Sequence, residues 1–180
     1  MSYANEEIEG KANEIIKKYG LTEPGFDLTN LLTEKEDFLI GEQEMDSGTT
    51  GLLLVDDDDY IPNTETHRLI AVNRSLGQTE NKQRRRFIVA HEYGHFILHK
   101  RNASLFAHRS TEEKDSVIEL EADYFARCLL MPKELVDAVL EELKPSSSLT
   151  IDEKILIIAH RFNVTKNKAR KRLCEDFGLS

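Results

Sequence analysis

The sequence is poor in cysteine, the residue that marks disulfide-stabilised proteins and structural zinc sites. Only two of its 180 residues are cysteines, and it also contains no tryptophan and four prolines. Cys128 and Cys174 are far apart in the sequence and form no Cys-x-x-Cys pair, which excludes a disulfide framework. A structural zinc site is excluded for the same reason, because such sites are usually rich in cysteine. We expect both residues to be buried thiols of a reducing compartment.

Long apolar runs and an excess of positive charge are also absent. No stretch reaches the roughly 18 apolar residues that a membrane span requires, and the first ten residues are polar and acidic. We therefore expect a cytoplasmic protein that makes no membrane contact. The net charge of -9 and the pI of about 5.2 exclude a surface that is basic throughout. Any contact with nucleic acid would have to be local.

The apolar residues that are present predict an α+β fold that is predominantly helical. Their spacing predicts helices over residues 6–19, 26–33, 80–99, 111–131, 133–143, 152–162 and 166–177. Three short apolar runs, at 38–40, 51–55 and 68–72, predict a small and mostly antiparallel sheet. We expect one domain over residues 1–145 and a C-terminal helical pair, residues 146–180, packed on it.

A tract of four aspartates, Asp56 to Asp59, falls between the last two predicted strands. Like charges repel one another inside a strand but are tolerated in a solvated turn. A calcium loop would need oxygen ligands at alternating positions and a glutamate further along the chain, and the tract has neither. The tract is interpreted as a solvated turn.

The segment His91-Glu92-Tyr93-Gly94-His95 is a candidate metal site on the predicted helix 80–99. Residues four apart project from one face of a helix, so both histidines can reach a single cation. Imidazoles suit zinc, and catalytic zinc keeps one position open for water. Because zinc acidifies that water, Glu92, just outside the ligands, can act as the general base.

The third protein ligand has to come from another part of the chain. A metzincin would continue with glycine at 98 and histidine at 101, but these positions hold Leu98 and Arg101. Downstream, the predicted helix 111–131 carries a glutamate and an aspartate four residues apart. We assign Glu119 as the ligand, and we expect Asp123 to orient one of the metal histidines.

Two other residues remain alternatives for the third ligand. Glu121 points to the other flank of the helix that carries Glu119, and His99 follows His95 by one helical turn. The group that stabilises the oxyanion stays open, with four candidate side chains: Tyr60, His67, His108 and Tyr124.

Three blocks of the sequence resemble the ImmA/IrrE family of metallopeptidases. They are residues 85–99 with the His-Glu-x-x-His segment, residues 119–126 with the sequence Glu-Leu-Glu-Ala-Asp-Tyr-Phe-Ala, and residues 129–132 with Leu-Leu-Met-Pro. The resemblance covers residues 38–132 well. It implies a gluzincin-like zinc peptidase in which the third ligand corresponds to Glu119. The family usually has asparagine where this chain has Asp123, which could change the charge around the site.

The resemblance also implies a task for the protein. Members of the family are often encoded by phages or mobile elements, and they cleave or inactivate helix-turn-helix repressors. The sequence therefore predicts an endopeptidase that acts as an anti-repressor on such a protein. The alternative is a regulator that keeps the zinc fold but binds a repressor or DNA without cutting. Intact Glu92 favours the enzyme, because a pure binding protein needs no base beside the metal.

In zincins the substrate pairs with an edge strand beside the metal. Residues 51–55 or 68–72 could supply that edge, although either run could equally be an interior strand.

The C-terminal region carries a run of basic residues. Six of them lie between His160 and Arg172, where no acidic residue occurs: Arg161, Lys166, Lys168, Arg170, Lys171 and Arg172. The two helices, joined at Asn163-Val164-Thr165, are similar in pattern to a helix-turn-helix and could contact DNA phosphates or an acidic substrate. We favour a solvated face on a helical pair that closes the domain. A second basic cluster, Lys82, Arg84, Arg85 and Arg86, is also expected to be solvated.

Overall fold

A computed structural model describes residues 3–46, 48–56, 59–74, 81–99, 105–109, 117–144 and 148–179, with residue 81 and residues 105–109 as backbone only. The elements of this part follow in the order α1 (Asn5–Tyr19), α2 (Leu28–Lys35), β1 (Phe38–Gln43), β2 (Thr49–Val55), β3 (Arg68–Asn73), α3 (Asn81–His99), β4 (Leu105–Arg109), α4 (Val117–Leu130), α5 (Lys133–Leu143), α6 (Ile151–Arg161) and α7 (Lys166–Arg170). The last helix continues as a π-helical segment, Lys171–Asp176.

Local capping interactions fix several helix ends. The Asp27 side chain accepts a hydrogen bond from the backbone N–H of Asn30 at 3.0 Å, so α2 begins at Leu28 and not at the expected residue 26. Thr150 and Glu153 form a reciprocal capping box at the start of α6. At the end of α1, Gly20 adopts the left-handed conformation, with φ of 60°, that stops the helix.

The four strands form one sheet in the order β1-β3-β2-β4. β1 and β3 are parallel, whereas β2 is antiparallel to both β3 and β4, so the expectation of a mostly antiparallel sheet is confirmed. The two runs considered as substrate edges, residues 51–55 and 68–72, belong to β2 and β3. Both are interior strands. Among the described strands the sheet edges are β1 and β4, and β4 had not been predicted.

The core forms where the sheet packs on α3 and where α3 packs on α4. Val55, Ile70 and Val72 belong to the same hydrophobic cluster as Phe87 and Phe125. Apolar residues of the C-terminal helices join this cluster too: Ile155, Ile158, Phe162, Val164, Ala169 and Leu173. The C-terminal helical pair therefore shares the main core, and the domain boundary at residue 145 stays a prediction.

The basic cluster at the start of α3 is not uniformly solvated, which corrects the expectation for Arg86. This side chain lies over the ring of Phe26 and its Nη1 donates to the Phe26 carbonyl oxygen. Burial lowers the pKa of Arg86 to about 10. The guanidinium group lies over the face of the ring, and this cation–π attraction offsets part of the cost of removing its charge from water. Arg85, by contrast, is one-third exposed and pairs with Glu42.

The two cysteines differ in their surroundings. Both are free thiols, and Cys128 is buried in α4 as expected, whereas Cys174 is only partly buried. Burial raises the pKa of the Cys128 thiol to about 11, so this sulfur is an unreactive part of the core.

Within the described residues, no helix combines the length and the apolar character that a membrane crossing needs.

Candidate metal centre

The histidines of the His-Glu-x-x-His segment lie on the buried face of α3. His91 is 6% exposed and His95 is 1% exposed. Their Nε2 atoms lie 3.0 Å apart, which follows from a spacing of four residues on one helix. Both imidazoles thus present the same nitrogen to one point in space.

A carboxylate from the next helix completes this cluster. Glu119 Oε2 lies 3.1 Å from His91 Nε2, and Glu119 Oε1 lies 3.3 Å from His95 Nε2. Among the described residues, these three side chains are the group of potential ligands whose donor atoms lie close enough, within 4.8 Å of one another, to hold one metal ion.

Close packing of α3 on α4 brings Glu119 to the histidines. Gly94 lies between the two histidines in sequence, and a Cβ on it would lie 3.0 Å from Phe125 Cδ1 and 3.2 Å from the Ala122 carbonyl oxygen. A larger residue here would require the neighbouring atoms of α4 to shift by a few tenths of an ångström, so glycine allows the closest approach of the two helix backbones. Ala122 follows Glu119 by about one turn of α4, so this close contact lies one helical turn from the carboxylate.

Glu92 is fully buried beside this cluster. Among the described residues, neither of its carboxylate oxygens has a hydrogen-bond partner. Its Oε1 lies against Gly51 of β2, where a Cβ would be 2.5 Å away. Burial, and secondarily the charge of Glu119, raises the pKa of Glu92 well above its ordinary value. A buried carboxyl group without a partner is costly to the fold, and such groups are characteristic of functional sites.

The two alternatives for the third ligand lie beside the cluster and contact each other. His99 Nε2 is 3.5 Å from Glu121 Oε2, and Glu121 Oε1 accepts a hydrogen bond of 2.6 Å from the backbone N–H of Tyr3. Burial and the neighbouring His95 lower the pKa of His99, which Glu121 partly offsets. The geometry therefore groups Glu119, and not Glu121 or His99, with His91 and His95.

Asp123 is held by two cationic side chains. Its Oδ2 accepts a 2.6 Å hydrogen bond from Arg127 Nη1, and its Oδ1 accepts one from Lys168 Nζ. Burial acts to raise the pKa of Asp123, but Lys168, Arg127 and His91 together lower it below its ordinary value. The orientation of a histidine by Asp123 stays a prediction.

Two of the candidates for oxyanion stabilisation, His67 and Tyr60, lie beside the ends of the acidic tract. His67 Nδ1 lies 3.0 Å from the Asp56 carbonyl oxygen and 2.9 Å from that of Asp59, and the Tyr60 ring stacks on His67. Tyr124 lies beside Arg127, and burial raises its pKa. The side chain of His108 lies outside the described part, as do Asp57 and Asp58 of the acidic tract.

The donor set fits a zinc ion. Two neutral imidazole nitrogens and one carboxylate oxygen are the protein ligands of catalytic zinc, which leaves a fourth position for water or substrate. The fold and the site together define the class, an α+β domain with the donor arrangement of zinc-dependent peptidases.

Comparison with known proteins identifies the family. The family model described as Peptidase_M78, the IrrE N-terminal-like domain, matches residues 37–174, so the chain belongs to this family and the resemblance found in its sequence is confirmed. The match also runs across the C-terminal helices. No curated protein matches the chain.

A solved structure, described as a Mycobacterium tuberculosis transcriptional regulator, has the same fold. It aligns with a TM-score of 0.58 and 17% sequence identity over 93% of this chain and 47% of that chain. The likeness shows the fold alone, and this chain spans about half the length of that regulator.

Proposed function

We propose that the protein is a zinc-dependent endopeptidase that cleaves a regulatory protein, a helix-turn-helix repressor of a phage or mobile element. The observation that carries the proposal is the buried carboxylate of Glu92, which lacks a hydrogen-bond partner among the described residues and lies beside three convergent potential ligands. A protein that only binds its partner has no use for such a group, whose burial destabilises the fold.

The residues suit peptide hydrolysis. His91, His95 and Glu119 would hold the zinc ion, which supplies Lewis acidity that activates water and polarises a peptide carbonyl. Glu92 takes a proton from water at a carboxylate oxygen as the water oxygen attacks the carbonyl carbon. It then delivers this proton to the amide nitrogen as the C–N bond breaks, and it returns to the carboxylate form. The raised pKa of Glu92 suits both transfers, because it makes the carboxylate a stronger proton acceptor than an ordinary glutamate.

The sheet offers a place for an extended peptide. Gly51, against which Glu92 rests, belongs to β2, and β2 pairs with β4 at the edge of the sheet. A substrate strand that adds to the outer side of β4 would lie two strands from β2, the strand that Glu92 contacts.

Apolar side chains flank the third ligand and support a protein substrate. Val117, Ile118 and Leu120 surround Glu119 in sequence and are 51%, 36% and 58% exposed. Exposed apolar groups that cluster in this way mark interaction surfaces.

Cleavage of a cognate repressor tests the proposal. A helix-turn-helix repressor from the same genome, chosen first from the genes beside this one, is incubated with zinc-loaded wild type or with the Glu92→Gln variant. The products are read by mass spectrometry. We expect two fragments from the wild type and intact repressor from the variant, which keeps all three ligands.

The second candidate is a non-cutting regulator that binds a repressor or DNA. The solved relative, described as a transcriptional regulator, favours it. If Glu92→Gln relieves repression as fully as the wild type does, without cleavage, the second candidate is correct and the peptidase proposal fails.

A further inference from the structure

Lys168 of the C-terminal helical pair reaches both helices that carry the potential metal ligands. Its Nζ pairs with Asp123 Oδ1 on α4 and lies 3.8 Å from the centre of the Phe87 ring on α3. Asp123 follows Glu119 by four residues, and Phe87 precedes His91 by four. One ammonium group thus contacts each ligand-bearing helix one turn away from its ligand.

The local fold fixes the position of this lysine. The Thr165 side chain accepts a hydrogen bond of 3.4 Å from the backbone N–H of Lys168 and so caps α7. Ala169 next to it is fully buried in the common core. Lys168 itself is only 23% exposed, unlike Lys166 of the same helix, whose side chain is 51% exposed.

The carboxylate of Asp123 is held from two sides. Arg127 binds its Oδ2 from within α4, and Lys168 binds its Oδ1 from α7. Arg127 is in turn fixed by Asp176 of the π-helical segment, at 2.9 Å and 3.0 Å. With both oxygens engaged, the carboxylate has one orientation, and its charge is kept at a fixed place one helical turn from Glu119.

We propose that Lys168 is a positioning residue of the metal centre, which acts through Asp123 and couples the C-terminal helices to metal affinity. Two residues of the C-terminal basic run then form ion pairs within the protein. Lys168 pairs with Asp123, and Arg172, whose side chain is 1% exposed, pairs with Glu9 and Asp176. This inference rests on the proposed function only in taking the ion to be zinc.

Zinc affinity of the full chain, measured by competition with a chromophoric chelator, tests the inference in a double-mutant cycle. Lys168→Met is made in the wild-type chain and in the D123N background. We expect the substitution to weaken zinc binding about tenfold in the wild-type chain, which is the lower end of the roughly 10- to 100-fold loss in metal affinity seen when a residue that supports a metal ligand is removed. In the D123N background we expect it to have no effect. A matched control is Lys166→Met, whose ammonium is 3.9 Å from the exposed Asp152, and it should leave affinity unchanged.

The competing explanation is a general effect of charge. Removal of a nearby positive charge would by itself tighten cation binding, and it would do so equally in both backgrounds. Equal effects in the two backgrounds, tighter binding or unchanged binding would each overturn the proposal.

Lys168→Arg is a second variant for the case that Lys168→Met folds poorly. Because it keeps a hydrogen-bond donor and a positive charge, it should bind zinc more tightly than Lys168→Met does. The absorption spectrum of Co²⁺ bound at the site should shift in Lys168→Met but not in Lys166→Met. Because no readout involves proteolysis, failure of the proposed peptidase function remains distinguishable.

Discussion

The Glu92 carboxylate occupies the space that a side chain at Gly51 would fill. A Cβ on Gly51 would lie 2.5 Å from Glu92 Oε1 and 2.6 Å from Ile88 Cγ2. The interior strand β2 thus forms one wall of the site and sets where the proposed general base can lie.

Gly51→Ala should therefore impair catalysis while metal binding is retained. The added methyl group displaces Glu92, and a misplacement of about 1 Å can cost about 100-fold in rate. We expect a loss of this order in kcat for repressor cleavage, with zinc affinity within twofold of wild type. Gly41→Ala on β1 is the matched control, because a Cβ there meets nothing within 4 Å. Normal turnover by Gly51→Ala would contradict the role of this contact.

The raised pKa of Glu92 predicts how stability depends on pH in metal-free protein. The folded state holds the Glu92 proton more tightly than the unfolded chain does, so its contribution to stability is full below pH ~4.5 and is lost as pH rises through the raised pKa. Each unit of the shift corresponds to about 1.4 kcal/mol.

Glu92→Gln removes this titration. The free energy of unfolding of both metal-free proteins is measured by urea denaturation. The value for the variant should rise relative to that of the wild type as pH increases from 5 to 8. A difference between the two proteins that stays constant over this range would show that the carboxyl group is not perturbed as described.

Glu119 and Glu121 should differ sharply in metal binding. Only Glu119 has its carboxylate at the two histidines, while Glu121 contacts His99 and the Tyr3 backbone. Glu119→Ala should weaken zinc binding by more than the roughly 100-fold seen for supporting residues, and Glu121→Ala by less. Elemental analysis after dialysis gives the answer directly, and full zinc retention by Glu119→Ala would refute the assignment.

Gly94→Ala should destabilise the contact between α3 and α4. The new methyl group would meet Phe125 at 3.0 Å and the Ala122 backbone at 3.2 Å and 3.3 Å, and overpacking of this kind costs about 1–3 kcal/mol. Gly10→Ala is the control, because it lies inside α1 with open space around it and should stabilise by up to ~1 kcal/mol. Urea unfolding of both variants checks the prediction, and equal effects would contradict it.

Leu120 should contribute to substrate binding and not to turnover. It is 58% exposed beside Glu119, so Leu120→Asp should raise KM for the repressor several-fold with kcat little changed. Leu156→Asp, at an exposed site on α6, is the control for a general effect of added charge. Identical KM values for Leu120→Asp and wild type would show that Leu120 does not contact the substrate.

Helix spacing made much of this protein predictable from sequence. His91 and His95 meet because residues four apart share a helix face, and the apolar periodicity of α3 turns that face inward. The edge strand β4 was missed because its five residues, Leu-Phe-Ala-His-Arg, carry only a weak alternating pattern. The interior positions of β2 and β3 were also undetermined, since strand order depends on pairing between distant segments.

By itself, the sequence determined the α+β class, the family and the two histidines beside Glu92, because each follows from local periodicity or from a contiguous motif. Only the tertiary structure decided that Glu119 meets those histidines, that Glu92 rests on Gly51 and that Lys168 turns inward to Asp123. These relationships join residues that are 24 to 45 positions apart. They depend on how closely and at what rotation the helices and the sheet pack, which no local pattern encodes.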